Sequence, residues 1–205
     1  MASVVLNGSV SGSCTITAPS AAGTTTLTLP TTSGTVLTNG TNTNFPAGSV
    51  LQVVSATYST ETSYSTNTLT DTGLTATITP SSSSNKILVL VNQNGIGKDS
   101  SNTYQRIALL RGSTIISYIC YQAGQTNTSA VNYGSSASSS YLDSPATTSS
   151  VTYKTQTSSG ANSGVVYCQI GSSGPTVSTI TLGFSSVPMF LFCKSRSTEN
   201  SSCDV

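Results

Sequence analysis

The sequence predicts an all-β protein, and three observations lead to that prediction. Serine and threonine make up 75 of the 205 residues, yet 36% of residues are hydrophobic and the net charge is only +1. Disordered chains usually combine low hydrophobicity with high net charge, whereas threonine, valine, isoleucine and tyrosine fit the half-buried surface of a strand. Strand-like runs also recur between Gly, Ser, Asn and Pro turns, and no long stretch shows helical apolar spacing.

The N-terminal segment, residues 1–44, carries no Lys, Arg, Asp or Glu. It reads as the short strands SVVLNG, CTIT, TTLTL and TVLT, followed by a turn-rich linker over Asn39–Gly48. So few large apolar groups can hardly bury a core of their own. We therefore expect this segment to be ordered by pairing with neighbouring chains or a docking partner. The residues expected to carry this attachment are Leu27, Leu29, Pro30, Val36 and Leu37.

Residues 45–182 show a denser strand pattern, with about eight strands expected from SVLQVVSATYS to STITLG. That number of strands is typical of a two-sheet sandwich, and we predict a jelly-roll-like antiparallel β-sandwich. Within ALLRGSTIIS, Gly112 and Ser113 can form the two central residues of a type II′ hairpin turn.

Two of these strands are apolar at successive positions, Ile87–Val91 and Ile107–Leu110. Successive side chains of a strand point to opposite faces, so both faces are expected to be buried. One face packs in the sandwich and the other meets a copy of the chain; cover by a long loop is the alternative. The residues assigned to packing in the core or between copies of the chain are Ile87, Val89, Val91, Ile107 and Leu109.

The composition argues against several classes of function. The chain has no histidine, the commonest general base, and the carboxylates Glu61, Asp71, Asp99 and Asp143 are expected to be solvated turn residues. GIGK in Asn92–Asn102 lacks the Walker spacing and reads as a flexible loop. The cations are dispersed rather than clustered as nucleic-acid binding requires, and no apolar run approaches the about 18 residues of a spanning helix. We expect no enzyme activity, no cofactor, no metal, no nucleic acid and no membrane insertion.

Five cysteines without a CxxC motif are expected to be free and mostly buried, with a Cys120–Cys168 disulfide as an open alternative. Tyrosine is the enriched recognition-type residue. Tyr118, Tyr153 and Tyr167 are expected in strands, whereas Tyr133 and Tyr141 lie in a polar stretch expected to be a long loop. This pair is therefore the candidate for a contact surface with another molecule.

Gly8–Thr38, GSVSGSCTITAPSAAGTTTLTLPTTSGTVLT, closely resembles a segment near the N-terminus of tailed-bacteriophage fibre and other virion-appendage proteins. The run at Thr72–Val91, TGLTATITPSSSSNKILVLV, is similar to the start of the β-rich distal domain often joined to it. The resemblance covers about residues 1–182. It implies a homotrimer, in which the contacts between copies are trimer contacts. The proximal segment of such proteins attaches to the virion and the distal domain projects, often to contact the host, which makes Tyr133 and Tyr141 the candidates for host contact.

The last stretch, residues 183–205, departs from that pattern because it adds two cysteines, two cations and the apolar run VPMFLF. A docking tail, a capping segment and a frameshifted end are all compatible with it. The functional prediction is a non-enzymatic bacteriophage virion protein, assembled in the host cytoplasm: a trimeric fibre or capsid-decorating appendage. It would contact other virion proteins and a host surface glycan or protein. A cement-like protein that stabilises the shell and a bacterial adhesin or lectin-like module are the alternatives.

Overall fold

The computed structural model describes residues 3–7, 11–17, 31, 49–127, 129, 132–133, 136–160 and 164–185. The chain divides into two compact units, residues 1–37 and residues 38–205. The sequence placed this boundary a few residues later, at 44. All regular elements in the described ranges are strands in antiparallel sheets, so the predicted all-β class is confirmed.

The described part of the first unit forms a hairpin, in which β1 (Ser3–Asn7) pairs with β2 (Ser13–Thr17). The side chains of Val5, Leu6 and Ile16 are all more than half exposed. The two strands therefore satisfy each other's backbone without burying these apolar groups.

The described residues of the second unit form twelve strands in three four-stranded sheets. The first sheet has the order β11-β6-β14-β3, the second β5-β12-β8-β9, and the small third β10-β7-β13-β4. In chain order the strands are β3 (Val50–Tyr58), β4 (Thr62–Tyr64), β5 (Thr70–Ile78), β6 (Ile87–Asn94), β7 (Gly97–Lys98), β8 (Gln105–Arg111), β9 (Thr114–Ala123), β10 (Asn132–Tyr133), β11 (Ser136–Asp143), β12 (Val151–Ser159), β13 (Val166–Cys168) and β14 (Ser178–Ser185).

The first two sheets share one hydrophobic core, to which alternate residues of their strands contribute. On β6 the inward residues are Ile87, Val89 and Val91, exposed by 3% at most, while Leu90 points outward and is 45% exposed. Within one chain this strand is therefore buried on its inner face only. No described loop covers the outer face, so the loop alternative does not hold for the described residues, and contact with a copy of the chain stays a prediction. The outer face is left open because the alternation of an antiparallel sheet turns every second side chain away from the core.

Strand β8 differs, because Ile107, Ala108, Leu109 and Leu110 are all buried within the single chain. Both faces are thus covered without a second copy, contrary to the expectation that one of them meets another chain. Its partner β9 pairs through three register shifts. Bulges of this kind re-aim side chains, and Ile116 and Ile119 of β9, three residues apart, both pack against the core.

The interior is divided lengthwise into an apolar end and a polar end. At the polar end, Thr155 Oγ1 donates to Gln93 Oε1 at 3.0 Å, and Gln93 Nε2 donates to Ser178 Oγ at 3.0 Å. Close by, Gln105 Nε2 donates to the Tyr167 carbonyl at 2.9 Å. All these glutamine, threonine and serine side chains are 1% exposed or less, and mutual hydrogen bonds offset the cost of taking such groups out of water.

Several local expectations can be compared with the structure. The hairpin at Gly112 and Ser113 is confirmed as a two-residue turn between β8 and β9, with a φ of 58° at Gly112. The stretch expected to be a long polar loop contains β11, which pairs along its whole length with β6. The expected flexible loop at GIGK contains β7, whose Lys98 is 1% exposed. Finally, β14 runs to Ser185, so residues 183–185 belong to the last strand rather than to a separate tail.

Candidate functional site

The outer face of the first sheet is the most distinctive surface of the second unit. The strand register places Leu142, Leu88, Gly183 and Val53 in one row across four strands. The next row contains Ser140, Leu90, Thr181 and Ser55. A third row contains Ser138, Asn92, Thr179 and Thr57. The face therefore changes from apolar to hydroxyl-rich along the strands.

The apolar end of this face forms a groove of about 160 Å³ between β3, β14 and β6. Its rim includes Val50 and Val53, which are 62% and 61% exposed, and Leu90. Leu88 and Gly183 lie lower on the same face. Lone exposed apolar side chains need no explanation, but a contiguous apolar surface marks a contact site.

The hydroxyl-rich end forms a shallow depression of about 570 Å³ that shares Leu90 and Thr181 with the groove. Here Ser138 Oγ donates to Asn92 Oδ1 at 3.0 Å, and the hydroxyls of Ser55 and Thr181 are also 3.0 Å apart. Hydroxyl and amide groups can both donate and accept hydrogen bonds. This end of the face is suited to a polar ligand such as a sugar.

A second exposed apolar surface lies on β9, at the edge of the second sheet. Ile115, Tyr118 and Tyr121 are each at least 40% exposed, and the two tyrosine rings meet edge to face with centroids 5.2 Å apart. The Arg106 guanidinium lies 6.0 Å from the centre of the Tyr121 ring. Tyrosine and arginine are enriched where proteins contact each other, so this edge is a candidate protein interface.

A buried carboxylate and its two partners tie the two core sheets together. Asp143 of β11 is 5% exposed and accepts a 2.6 Å hydrogen bond from Tyr153 Oη and a 3.0 Å ion pair from Arg111 Nη1. Burial, followed by the bond to Asp143, raises the pKa of Tyr153 above its ordinary value. The expectation that Asp143 is a solvated turn residue is therefore wrong: its carboxylate is a buried structural acceptor.

The other carboxylates near the sheets occupy separate positions. Asp71 lies on β5, largely exposed, and accepts bonds from Lys154 and Gln156. Partial burial raises its pKa, but these two partners outweigh burial and lower the pKa overall. Asp99 accepts a 2.6 Å bond from Tyr167 Oη. Asp71 was expected to be a solvated turn residue; it is exposed, but it lies in a strand rather than in a turn.

The cysteines of the second unit that the structure describes, Cys120 and Cys168, are both free, so no disulfide joins them. Burial raises the pKa of the Cys168 thiol to about 12 and that of Cys120 to about 11. A thiol that stays protonated is a poor nucleophile and a poor metal ligand. The part of the chain that the structure describes also contains no group of three or more His, Cys, Asp or Glu able to hold a metal.

The residues singled out from the sequence are distributed as follows. Ile87, Val89, Val91, Ile107 and Leu109 are all buried in the chain's own interior. The attachment residues Leu27, Leu29, Pro30, Val36 and Leu37 lie outside the described residues.

The two tyrosines expected in a loop both lie in strands. Tyr141 is half-buried on β11 and packs against the core, so the loop placement behind its assignment to host contact is wrong. Tyr133 lies in the two-residue strand β10, which pairs with β7. Of the outward apolar residues Leu88, Leu90 and Leu142, the sequence indicated the first two through the apolar run ILVLV and missed Leu142.

These features define an all-β protein whose larger unit bears, among the described residues, two apolar surfaces that no other described segment covers. The chain matches no protein-family model and no curated protein. The likeness to virion appendages therefore depends on the residues of Gly8–Thr38 and Thr72–Val91 alone. Across the residues described here, no helix has both the length and the apolar character needed to cross a membrane.

Proposed function

We propose that this protein is a structural component of a bacteriophage virion, a trimeric fibre or capsid-decorating appendage. Its N-terminal segment attaches to the particle, and the larger unit is the projecting distal domain, a sandwich of jelly-roll type. The observation that carries the proposal is the N-terminal hairpin, whose strands are paired while Val5, Leu6 and Ile16 remain exposed. Apolar side chains left open on a charge-free segment suit docking onto another protein.

The composition of this segment determines which interactions can attach it to the particle. An isolated two-stranded hairpin is marginally stable in water at best, so the segment gains order when it docks. Full burial of a large aliphatic side chain contributes about 1.5–3 kcal/mol. Because residues 1–44 hold no charge, attachment should be nearly independent of salt concentration, unlike a charge-steered interface.

The trimer is proposed to form through the β9 edge. Tyr118, Tyr121 and Ile115 are exposed there, and an edge strand also has backbone groups available for pairing. Native mass spectrometry of the full chain tests the stoichiometry. Tyr121→Asp should weaken the trimer, while Val177→Asp, at an exposed residue directly before β14 rather than on β9, should leave it intact. A full chain that is monomeric at micromolar concentration would overturn this part of the proposal.

Host contact is proposed to use the hydroxyl-rich depression, in which a sugar could bond to Ser138, Asn92 and Thr179. A lectin-like adhesin would bind sugar through the same surface. Finding the protein in virus particles or on the bacterial surface therefore distinguishes the virion appendage from the adhesin. A cement-like role predicts particle binding without any sugar binding. Glycan-array binding of the purified protein, compared with Ser138→Ala, separates a cement protein from a host-binding appendage.

Deletion of residues 1–44 tests the attachment directly. The larger unit should fold, as judged by circular dichroism, but should be missing from particles purified from the infected host. Normal copy number of the truncated protein in particles would contradict N-terminal attachment. Full-length protein that is absent from particles in any salt would contradict the virion assignment itself.

A further inference from the structure

The apolar groove on the outer face of the first sheet has the size of a single aromatic side chain. Its volume of about 160 Å³ is close to the roughly 150 Å³ cavity that accommodates one benzene molecule in a protein interior. Val53 and Leu90 border it, and no charged side chain lines it. A ring placed there would be covered by aliphatic groups on two sides.

Gly183 gives the groove its depth, and the chain's own packing does not require a glycine there. A Cβ at this position would meet its nearest neighbours, the Gln52 carbonyl oxygen and Val53 Cγ2, at 3.5 Å and 3.7 Å. These are ordinary contact distances, and the φ of Gly183 is not positive. Glycine weakens a strand interior and often marks a place where another group approaches closely. Gly183 therefore points to an occupant above it.

The chain supplies a matching occupant directly after β14. Ser185, the last residue of that strand, lines the groove, and the run Val187–Phe192, VPMFLF, begins two residues later. This run has no charge and contains two phenylalanines. Seven extended residues can span about 23–25 Å, whereas two neighbouring strand spacings cover about 10 Å. Residues 186–192 can therefore reach any part of the groove.

We propose that Val187–Phe192 folds back over the first sheet and places the ring of Phe190 or Phe192 in the groove above Gly183. The segment then caps the apolar end of the outer face, the row of Leu88 and Val53, within the same chain. A second copy of the domain is a poorer occupant, because stable interfaces bury about 800 Å² per partner. A one-ring groove beside a hydroxyl-rich depression offers far less apolar surface. This inference does not depend on the virion function.

Tryptophan fluorescence of the full chain tests the proposal, because the natural sequence contains no tryptophan. Phe190→Trp and Phe192→Trp are made separately, so each variant reports from one position. At least one of them should emit at shorter wavelength than free tryptophan and should resist quenching by acrylamide. Solvent-like emission and full quenching in both variants would overturn the proposal.

A second substitution then links the signal to the groove. Adding Gly183→Val fills the groove floor and should shift the reporter emission to longer wavelength. Thr179→Val, outward on the same strand but away from the groove, is the matched control and should leave emission unchanged. Val53→Asp, at a residue 61% exposed, provides an independent groove variant should Gly183→Val fail to fold. An unchanged emission in both groove variants would place the ring elsewhere and overturn the proposal.

Dilution distinguishes docking within one chain from docking of a neighbouring copy. Docking within one chain predicts an emission wavelength that does not change on dilution. A blue shift that is lost on dilution, and recovered by adding unlabelled chain, would assign the groove to a neighbouring copy and overturn docking within the chain.

Discussion

Removing one hydroxyl from the buried ionic cluster should measurably destabilise the larger unit. Tyr153 is fully buried, and its Oη donates to Asp143 Oδ2 at 2.6 Å. Tyr153→Phe keeps the ring and deletes this bond, while Arg111 stays paired with the carboxylate. A hydrogen bond to a charged group contributes about 1.5–3 kcal/mol. At about 2–4 °C per kcal/mol for a chain of this size, the melting temperature should fall by about 3–12 °C.

The same substitution should change how stability depends on pH. The pKa of Tyr153 is raised in the folded chain from its ordinary value of 10.0, so above about pH 10 the unfolded chain loses a proton that the folded chain keeps. Its contribution is therefore complete below about pH 10 and declines as pH rises further, by up to about 1.4 kcal/mol per pH unit. The Tyr153→Phe variant lacks this pH-dependent contribution to stability, whereas the contributions of Cys120 and Cys168 are the same in both proteins.

Urea unfolding monitored by circular dichroism at pH 7 and at several values up to pH 11 measures both effects. Tyr167→Phe is the matched control, because it deletes an equally short bond, to Asp99, at a less buried position. It should cost less than Tyr153→Phe. A loss below about 0.5 kcal/mol at pH 7 for Tyr153→Phe, or a loss equal to that of the control, would refute the reasoning that burial strengthens this bond.

Three further experiments test the core, the close packing at Gly73 and the burial of the Cys168 thiol. Val89→Asp places an unpaired charge in the core and should cost several kcal/mol, whereas the neighbouring Leu90→Asp should leave urea unfolding of the domain cooperative; equal losses would contradict the inward–outward assignment on β6. Gly73 has a φ of 89° and its Cβ position is occupied by the Tyr58 ring. Gly112→Ala, at a position with open space, should lower the free energy of unfolding in urea by the about 1–2 kcal/mol of backbone strain. Gly73→Ala should lower it by more, and the reverse order would contradict this packing. Cys168, fully buried with its pKa raised to about 12, should react with iodoacetamide at pH 8 only in urea, as read by peptide mass mapping; rapid labelling of the native chain would refute its burial.

The strands that the sequence predicted are those in which apolar or β-branched residues alternate. Strand β5 and strand β12 are examples, since their inward residues include Leu74, Ile78 and Val151. Strand β11 was missed because its half-buried face carries Ala137, Ser139 and Tyr141, a pattern with little apolar contrast. Pairing with β6 over its full length forms this strand, and long-range pairing cannot be read from a local window.

The candidate site was predictable in part, for similar reasons. The run Ile87–Val91 indicated an apolar surface beyond the core, and the structure shows its outward residues beside the groove. The groove itself depends on Gly183 facing Leu88 and Val53, a register between strands far apart in sequence. Asp143 was taken for a turn residue because LDSP resembles a turn. Its partners, Arg111 and Tyr153, come from two other strands.

Because the interior is apolar at one end and polar at the other, each strand fits its neighbours at only one alignment along its length. In a repetitive Ser- and Thr-rich chain, a slip by one residue is excluded because it would turn the apolar face outward. A slip by two residues preserves the alternation, yet it would bring Tyr153 to the site of Thr155 and break the bonds to Gln93. The hydrogen bonds of the buried glutamines thus fix the register of the strands. In related sequences, Gln93, Thr155 and Ser178 should be exchanged together rather than one at a time.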